Sequence, residues 1–270
     1  MCVSRVTYVR LLLIEISFLG ESERESCYGE VIRILRERFP DKSMRHKVTV
    51  LVPGAGLARL AWELVADGFS VQGNEFSILM LLVSNFILNN CKQVNEYVIY
   101  PFVLDTCNSW SYDEQLRPVR FPDVCPHFMD EASSFTVLFF IQRKNAFSMC
   151  AGDFLDALKN TTDQWSVVVT VFFIDTAVNV LDYIDTIHRI LKKGGLWLNF
   201  GPLTYHFADG DAEGAIELPY DLIIQYINQK GFRFASDERE SKANTALYAC
   251  NKKSMLQYQY ICGFFECVKL

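Results

Sequence analysis

The chain has 270 residues, half of them apolar, 21% charged and 14% aromatic. That composition excludes disorder, collagen-like repeats and coiled coil, and the chain is long enough to bury a core. A net charge of −6 argues against broad nucleic-acid binding, which needs a basic face. The nine cysteines are an odd set without a CxxC pair, so neither a disulfide framework nor a compact zinc site is expected. A reducing compartment, cytoplasmic or nuclear, suits that usage. The run Leu11-Leu12-Leu13-Ile14 is interrupted by Glu15 and is too short for a membrane span. Residues 6–19 therefore read as a buried helix or strand.

The first clear helix is expected from Glu23 to Phe39. Ser22 and Glu25 form a capping-box pattern, and Tyr28, Val31, Ile32, Leu35 and Phe39 share one face. Arg33, Arg36 and Arg38 suit the helix end as a solvated face. Alternation follows: strand Val48–Val52, loop Pro53-Gly54-Ala55-Gly56, helix Leu57–Asp67, strand Phe69–Gly73, helix Phe76–Asn90 and strand Tyr97–Phe102. Such alternation predicts a parallel sheet with right-handed crossovers. Residues 101–145 carry no sustained period and read as an insertion. Strand Phe147–Cys150, a short helix Phe154–Lys159 and the apolar run Trp165–Phe173 come next; that run is expected to be the buried central strand. A helix Ala177–Leu191, closed by Lys192-Lys193-Gly194-Gly195, leads to strand Leu196–Phe200. Helix Pro219–Gln229 and strands near Phe232–Phe234 and Tyr258–Val268 complete the order. No internal repeat or linker divides the chain, and 1–270 reads as one domain.

Gly54 and Gly56 follow the first strand, where a glycine pair lets backbone approach a ligand at a helix N-terminus. The third glycine of the dinucleotide fingerprint is missing, because Arg59 stands there. Glu75 lies 21 residues after Gly54 at the end of the second strand, where a carboxylate can accept from two ribose hydroxyls. Asp153 could reach an adenine amino group and Phe154 could stack on the ring; Asp153 equally suits a helix N-cap. Asp175 ends the apolar run, facing substrate or capping the next helix. His206 sits in a Gly-Pro loop one strand later. There is no GxSxG elbow, Walker loop or HExxH.

These residues resemble the carnosine N-methyltransferase family and its N2227-like relatives. The resemblance rests on Val50-Leu51-Val52-Pro53-Gly54-Ala55-Gly56-Leu57, Gln72-Gly73-Asn74-Glu75-Phe76-Ser77, Ala151-Gly152-Asp153-Phe154, Phe172-Phe173-Ile174-Asp175 and Tyr205-His206-Phe207. It implies a Rossmann-like class I methyltransferase with a seven-stranded, mostly parallel α/β sheet whose last strand is antiparallel. It also implies S-adenosyl-L-methionine as cofactor and the imidazole ring of carnosine as acceptor, giving anserine. Carried across by motif, Gly54, Gly56, Glu75, Asp153 and Phe154 would hold the methyl donor. Asp175, His206 and Tyr260, with Tyr258 as the alternative tyrosine, would hold the dipeptide. No nucleic-acid or membrane partner is implied, and a homodimer is compatible. Methylation of a protein histidine or another small imidazole, or a non-catalytic binding role, are the alternatives. Two departures stand out: Ala58 where relatives usually have Gly, and mostly apolar residues at 6–19, whereas the family has a longer N-terminal part whose polar residues, including a Gln and an Arg, help bind the cofactor.

Overall fold

The structure is a computed structural model that describes residues 13–126, 145–208, 210, 212–235, 244–248 and 250–270. Eight strands form the main sheet. A continuous path of seven runs β5 (Phe147–Ala151), β2 (Ser70–Glu75), β1 (Thr49–Pro53), β6 (Trp165–Val171), β7 (Leu191–Gly201), β10 (Tyr260–Lys269), β8 (Phe232–Phe234). β5, β2, β1, β6 and β7 pair parallel to one another, whereas β10 is antiparallel to both β7 and β8. The expected Rossmann-like α/β sheet is therefore present. An eighth strand, β9 (Asn244–Ala246), pairs with the start of β10 and has no counterpart in the sequence reading.

Period-two alternation explains the layers. On β6, Val167 and Val169 face one core while Val168 faces the other. The first core holds α1 (Glu21–Arg38) and α2 (Arg59–Ala66) through Val31, Leu35, Ala61 and Leu64. The second holds α5 (Phe154–Leu158), α6 (Val180–Ile190) and α7 (Tyr220–Gln229) through Leu158, Ile184, Ile187 and Ile227. Helices on both faces are what a buried parallel sheet requires.

Several expectations are corrected. Tyr97–Phe102 is not the third strand of the main sheet. β3 (Tyr97–Ile99) pairs antiparallel with β4 (Val119–Phe121) in a small separate sheet, and β5 takes the third position. Tyr97 packs on Phe86 of α3 (Ile78–Asn90) and on Phe121, at ring distances of 5.2 and 5.5 Å, and this holds the hairpin away from the main sheet. The hairpin also encloses α4 (Tyr112–Gln115). Within the 101–145 stretch, residues 127–144 lie outside the described residues.

The capping box does not form. A 3₁₀ turn at Phe18–Gly20 runs directly into α1, so the chain is already helical at Ser22, whose Oγ instead accepts from Lys252 Nζ at 2.6 Å. Lys192–Gly195 do not close a helix, because β7 already begins at Leu191. Residues 13–16 are helical and buried, whereas 6–12 lie outside the described residues. Among the described residues, the cysteines are free thiols and no helix is long and apolar enough to cross a membrane.

Candidate functional site

The parallel strands deliver their C-terminal ends to one side of the sheet, where open α/β folds bind ligands. A cavity of about 760 Å³ lies there. Gly54 and Gly56 line it in the left-handed region at φ +64° and +56°, with Ala58 following at +70°. A Cβ on Gly54 would come within 2.5 Å of the Phe173 ring, and one on Gly56 within 2.4 Å of Glu15 Oε1. Glycine is therefore required twice, by conformation and by contact. Ala55 N donates to Asn74 O at 3.0 Å, which ties the loop to the end of β2.

Glu75 ends β2 and also lines the cavity. Its Oε2 accepts from Gly56 N and its Oε1 from Ser77 N, both at 2.8 Å. Burial raises its pKa, opposed by the backbone N–H groups of Ser77, Gly56 and Phe76. Those bonds fix the carboxylate in orientation and leave further lone pairs for a ligand's hydroxyls. Asn74 beside it is structural, donating to the Cys150 and Gly152 carbonyls and joining β2 to β5.

Asp153 forms the anticipated N-cap and also faces the cavity. Its Oδ1 caps α5 by accepting from Leu155 N at 2.8 Å and Asp156 N at 3.2 Å, and the residue lines the cavity. Phe154 lies edge-on to Phe173 and Tyr183, which stack on each other at 4.9 Å. The structure thus brings Gly54, Gly56, Glu75, Asp153 and Phe154 to one cavity, together with His206.

The other candidates are placed differently. Asp175 is 3% exposed, and its Oδ2 accepts from Thr204 N at 2.9 Å and Thr204 Oγ1 at 2.8 Å. Its carbonyl accepts from His206 N at 3.0 Å. Asp175 therefore holds the loop that carries His206 instead of lining the cavity itself. Tyr260 meets the Phe172 ring edge-on at 5.7 Å, while Tyr258 is exposed; neither is among the described lining residues.

Residues not singled out from sequence complete the walls. Phe172 adopts φ +50°, a strained conformation for a bulky residue. It is held by N–H donation to Phe200 O at 2.8 Å and by stacking on Tyr248 at 4.1 Å. Tyr28 and Tyr248 line the cavity, and burial raises both phenols well above the usual range. Glu15, 7% exposed, lies against Gly56, and its Oε2 accepts from Leu57 N at 2.9 Å and Arg59 N at 3.3 Å. Its only sequence signal is a charge inside an apolar run.

A family model described as Carnosine N-methyltransferase matches residues 3–270. The carnosine N-methyltransferase of Mus musculus is 44% identical over 247 residues, covering 91% of this chain and 58% of that protein. The carnosine N-methyltransferase unmet of Drosophila melanogaster is 39% identical over 262 residues, covering 97% of this chain and 54% of that protein. The chain thus spans a little over half the length of these relatives. Among solved structures, the magnesium protoporphyrin IX methyltransferase from Synechocystis PCC 6803 with bound SAH aligns with a TM-score of 0.52 at 12% identity. That alignment covers 99% of this chain and 96% of the other, and it is a likeness of fold.

Proposed function

The chain belongs to the carnosine N-methyltransferase family, and from that premise we propose that it methylates an imidazole nitrogen of carnosine, using S-adenosylmethionine. The observation that carries the proposal is the cavity. Gly54, Gly56, Glu75, Asp153 and Phe154 line it together with His206 and Phe207. Its volume of about 760 Å³ suits two small molecules meeting inside it.

The residues present fit the cofactor. Two left-handed glycines leave a backbone cradle that a Cβ would fill. Glu75, fixed by two backbone N–H groups, is the acceptor for vicinal ribose hydroxyls. Asp153 and Phe154 offer an acceptor and an aromatic ring for adenine. When bound, the cofactor supplies an electrophilic methyl group on a positively charged sulfur.

The acceptor needs little activation. A neutral imidazole, with an ordinary pKa near 6.5, already presents a lone pair above that pH. The protein's task is to fix the ring, align its nitrogen and exclude water. We assign orientation to the 202–207 loop, whose His206 lines the cavity and whose shape is set by Asp175 through Thr204. Asp175 is thereby a positioning residue. Tyr248 and Phe172 close the aromatic side against water.

The test is mass spectrometry of carnosine after incubation with the protein and S-adenosylmethionine, with free histidine and a His-containing peptide in parallel. Methylated carnosine is the expected product. A methylated peptide with unchanged carnosine would move the proposal to a protein substrate, and absence of both products would overturn it.

A further inference from the structure

The cavity is strongly one-sided in charge. Five carboxylates line it, those of Glu15, Glu75, Asp153, Asp182 and Glu213. No lysine or arginine is among its described lining residues, and His206 is the single basic side chain. Two of the carboxylates bracket one glycine. Glu75 accepts from Gly56 N, while Glu15 Oε1 lies where a Gly56 Cβ would be. Of the groups acting on the Glu15 carboxyl, the Arg59 charge opposes the rise in its pKa least. Arg59 is engaged by Asp123 at 2.7 Å and by Glu63 at 2.8 Å, and gives the residue-15 carbonyl, not its carboxylate, a bond at 3.0 Å.

A buried carboxylate in a cavity of like charge calls for a cation. Resting on the methyl-donor reading, we propose that Glu15 anchors the α-ammonium group of the cofactor's amino-acid arm. The arm's own carboxylate would be repelled at this position, and its ammonium attracted. Glu75 faces the ribose, and Asp153 with Phe154 faces the base. Glu15 acts electrostatically on Tyr28 and Tyr248, whereas Asp153 acts on Tyr183, so the two acids have different neighbours in the cavity. Consistent with an uncompensated site, burial pushes the Glu15 carboxyl up to about 8. The Arg59 and Leu57 N–H groups oppose the rise and Glu75 adds to it.

The alternative is that Glu15 only caps α2 through Leu57 N and Arg59 N. Calorimetry separates the two with a pair of uncharged-sulfur nucleosides: S-adenosylhomocysteine, which carries the arm, and methylthioadenosine, which lacks it. The proposal expects Glu15→Gln to weaken S-adenosylhomocysteine by about 10-fold or more. Methylthioadenosine should change by less than about 3-fold. Equal losses for both nucleosides would show a structural cap and overturn the proposal, as would no loss for either. If Glu15→Gln lacks a native melting transition, Glu15→Asp is measured in the same way, with the same arm-specific loss expected. Wild-type protein that binds neither nucleoside would overturn the methyl-donor reading itself; binding of both, unaffected by residue 15, would overturn only the role of Glu15.

Discussion

Gly54, Gly56 and Glu75 come from two consecutive strand ends, tied together by Gly56 N donating to Glu75 and Ala55 N to Asn74 O. Asp175, Thr204 and His206 come from two later strand ends joined by a loop, and their order depends on a single buried carboxylate. The proposed nucleoside side of the cavity is thus built mainly from backbone, with geometry set by φ angles that glycine alone adopts easily. The proposed acceptor side hangs on the Asp175 side chain, which a substitution can remove without touching the sheet. On the proposed reading, a fixed cofactor site paired with an adjustable acceptor site would let one fold serve many acceptors.

The largest expected effect tests whether the nucleoside side is tuned for a cation. The groups facing Glu15 are Glu75 from β2, Arg59 from α2, Tyr28 from α1 and Tyr248 beyond β9. Its folded carboxyl, pushed up to about 8 from an ordinary 4.5, favours the protonated form. The stability it contributes is therefore present below 4.5 and lost as pH rises through about 8. At roughly 1.4 kcal/mol per pKa unit the loss reaches several kcal/mol. Thermal melts of the unliganded protein should fall across that window, and Glu15→Gln should flatten the curve. A wild-type melt flat from pH 5 to about 8 would exclude a raised carboxyl.

Next, Glu75→Ala should weaken S-adenosylhomocysteine by about 100-fold, since it removes charge-assisted bonds of about 1.5–3 kcal/mol each. Calorimetry reads this directly, and an unchanged affinity would remove Glu75 from the nucleoside side. Asp175→Ala should lower turnover of carnosine by at least about 10-fold while leaving nucleoside affinity within about 3-fold. It should also cost about 1–3 kcal/mol of stability, by leaving the Thr204 donors unpaired. Parallel loss of nucleoside binding would mean that the two sides are not separable. The smallest effect is expected at Ala58. Relief of its left-handed backbone is worth about 1–2 kcal/mol. A lost buried methyl, about 0.8 kcal/mol, and glycine's entropy, about 0.5–1 kcal/mol, offset it. Ala58→Gly should move the melting temperature by no more than a few degrees.

The contrast between the two sides also explains what was legible in the sequence. Gly54, Gly56, Glu75 and Asp153 are visible because a strand, a turn and a helix start surround each of them. Glu15 is not, because its partners Leu57 and Arg59 lie more than forty positions away and nothing local points to them. Asp175 could be located but not assigned, since its carboxylate meets Thr204, 29 positions on. β3 was misplaced because an apolar run after a helix looks alike whether it joins a large sheet or turns back in a hairpin. Only the packing of Tyr97 on Phe86 and Phe121 decides. β9 was missed because three residues show no period.

The antiparallel strand β10 lies between β7 and β8 in space but follows both in the chain. During synthesis, β7 therefore waits with an open edge until residues 260–269 emerge. That edge belongs to a strand whose Leu196, Trp197, Leu198 and Phe200 are almost wholly buried in the finished fold. An open apolar edge is a template for pairing with other chains. Truncation before Tyr260 should accordingly yield insoluble aggregate instead of a smaller folded protein, whatever the state of the cavity.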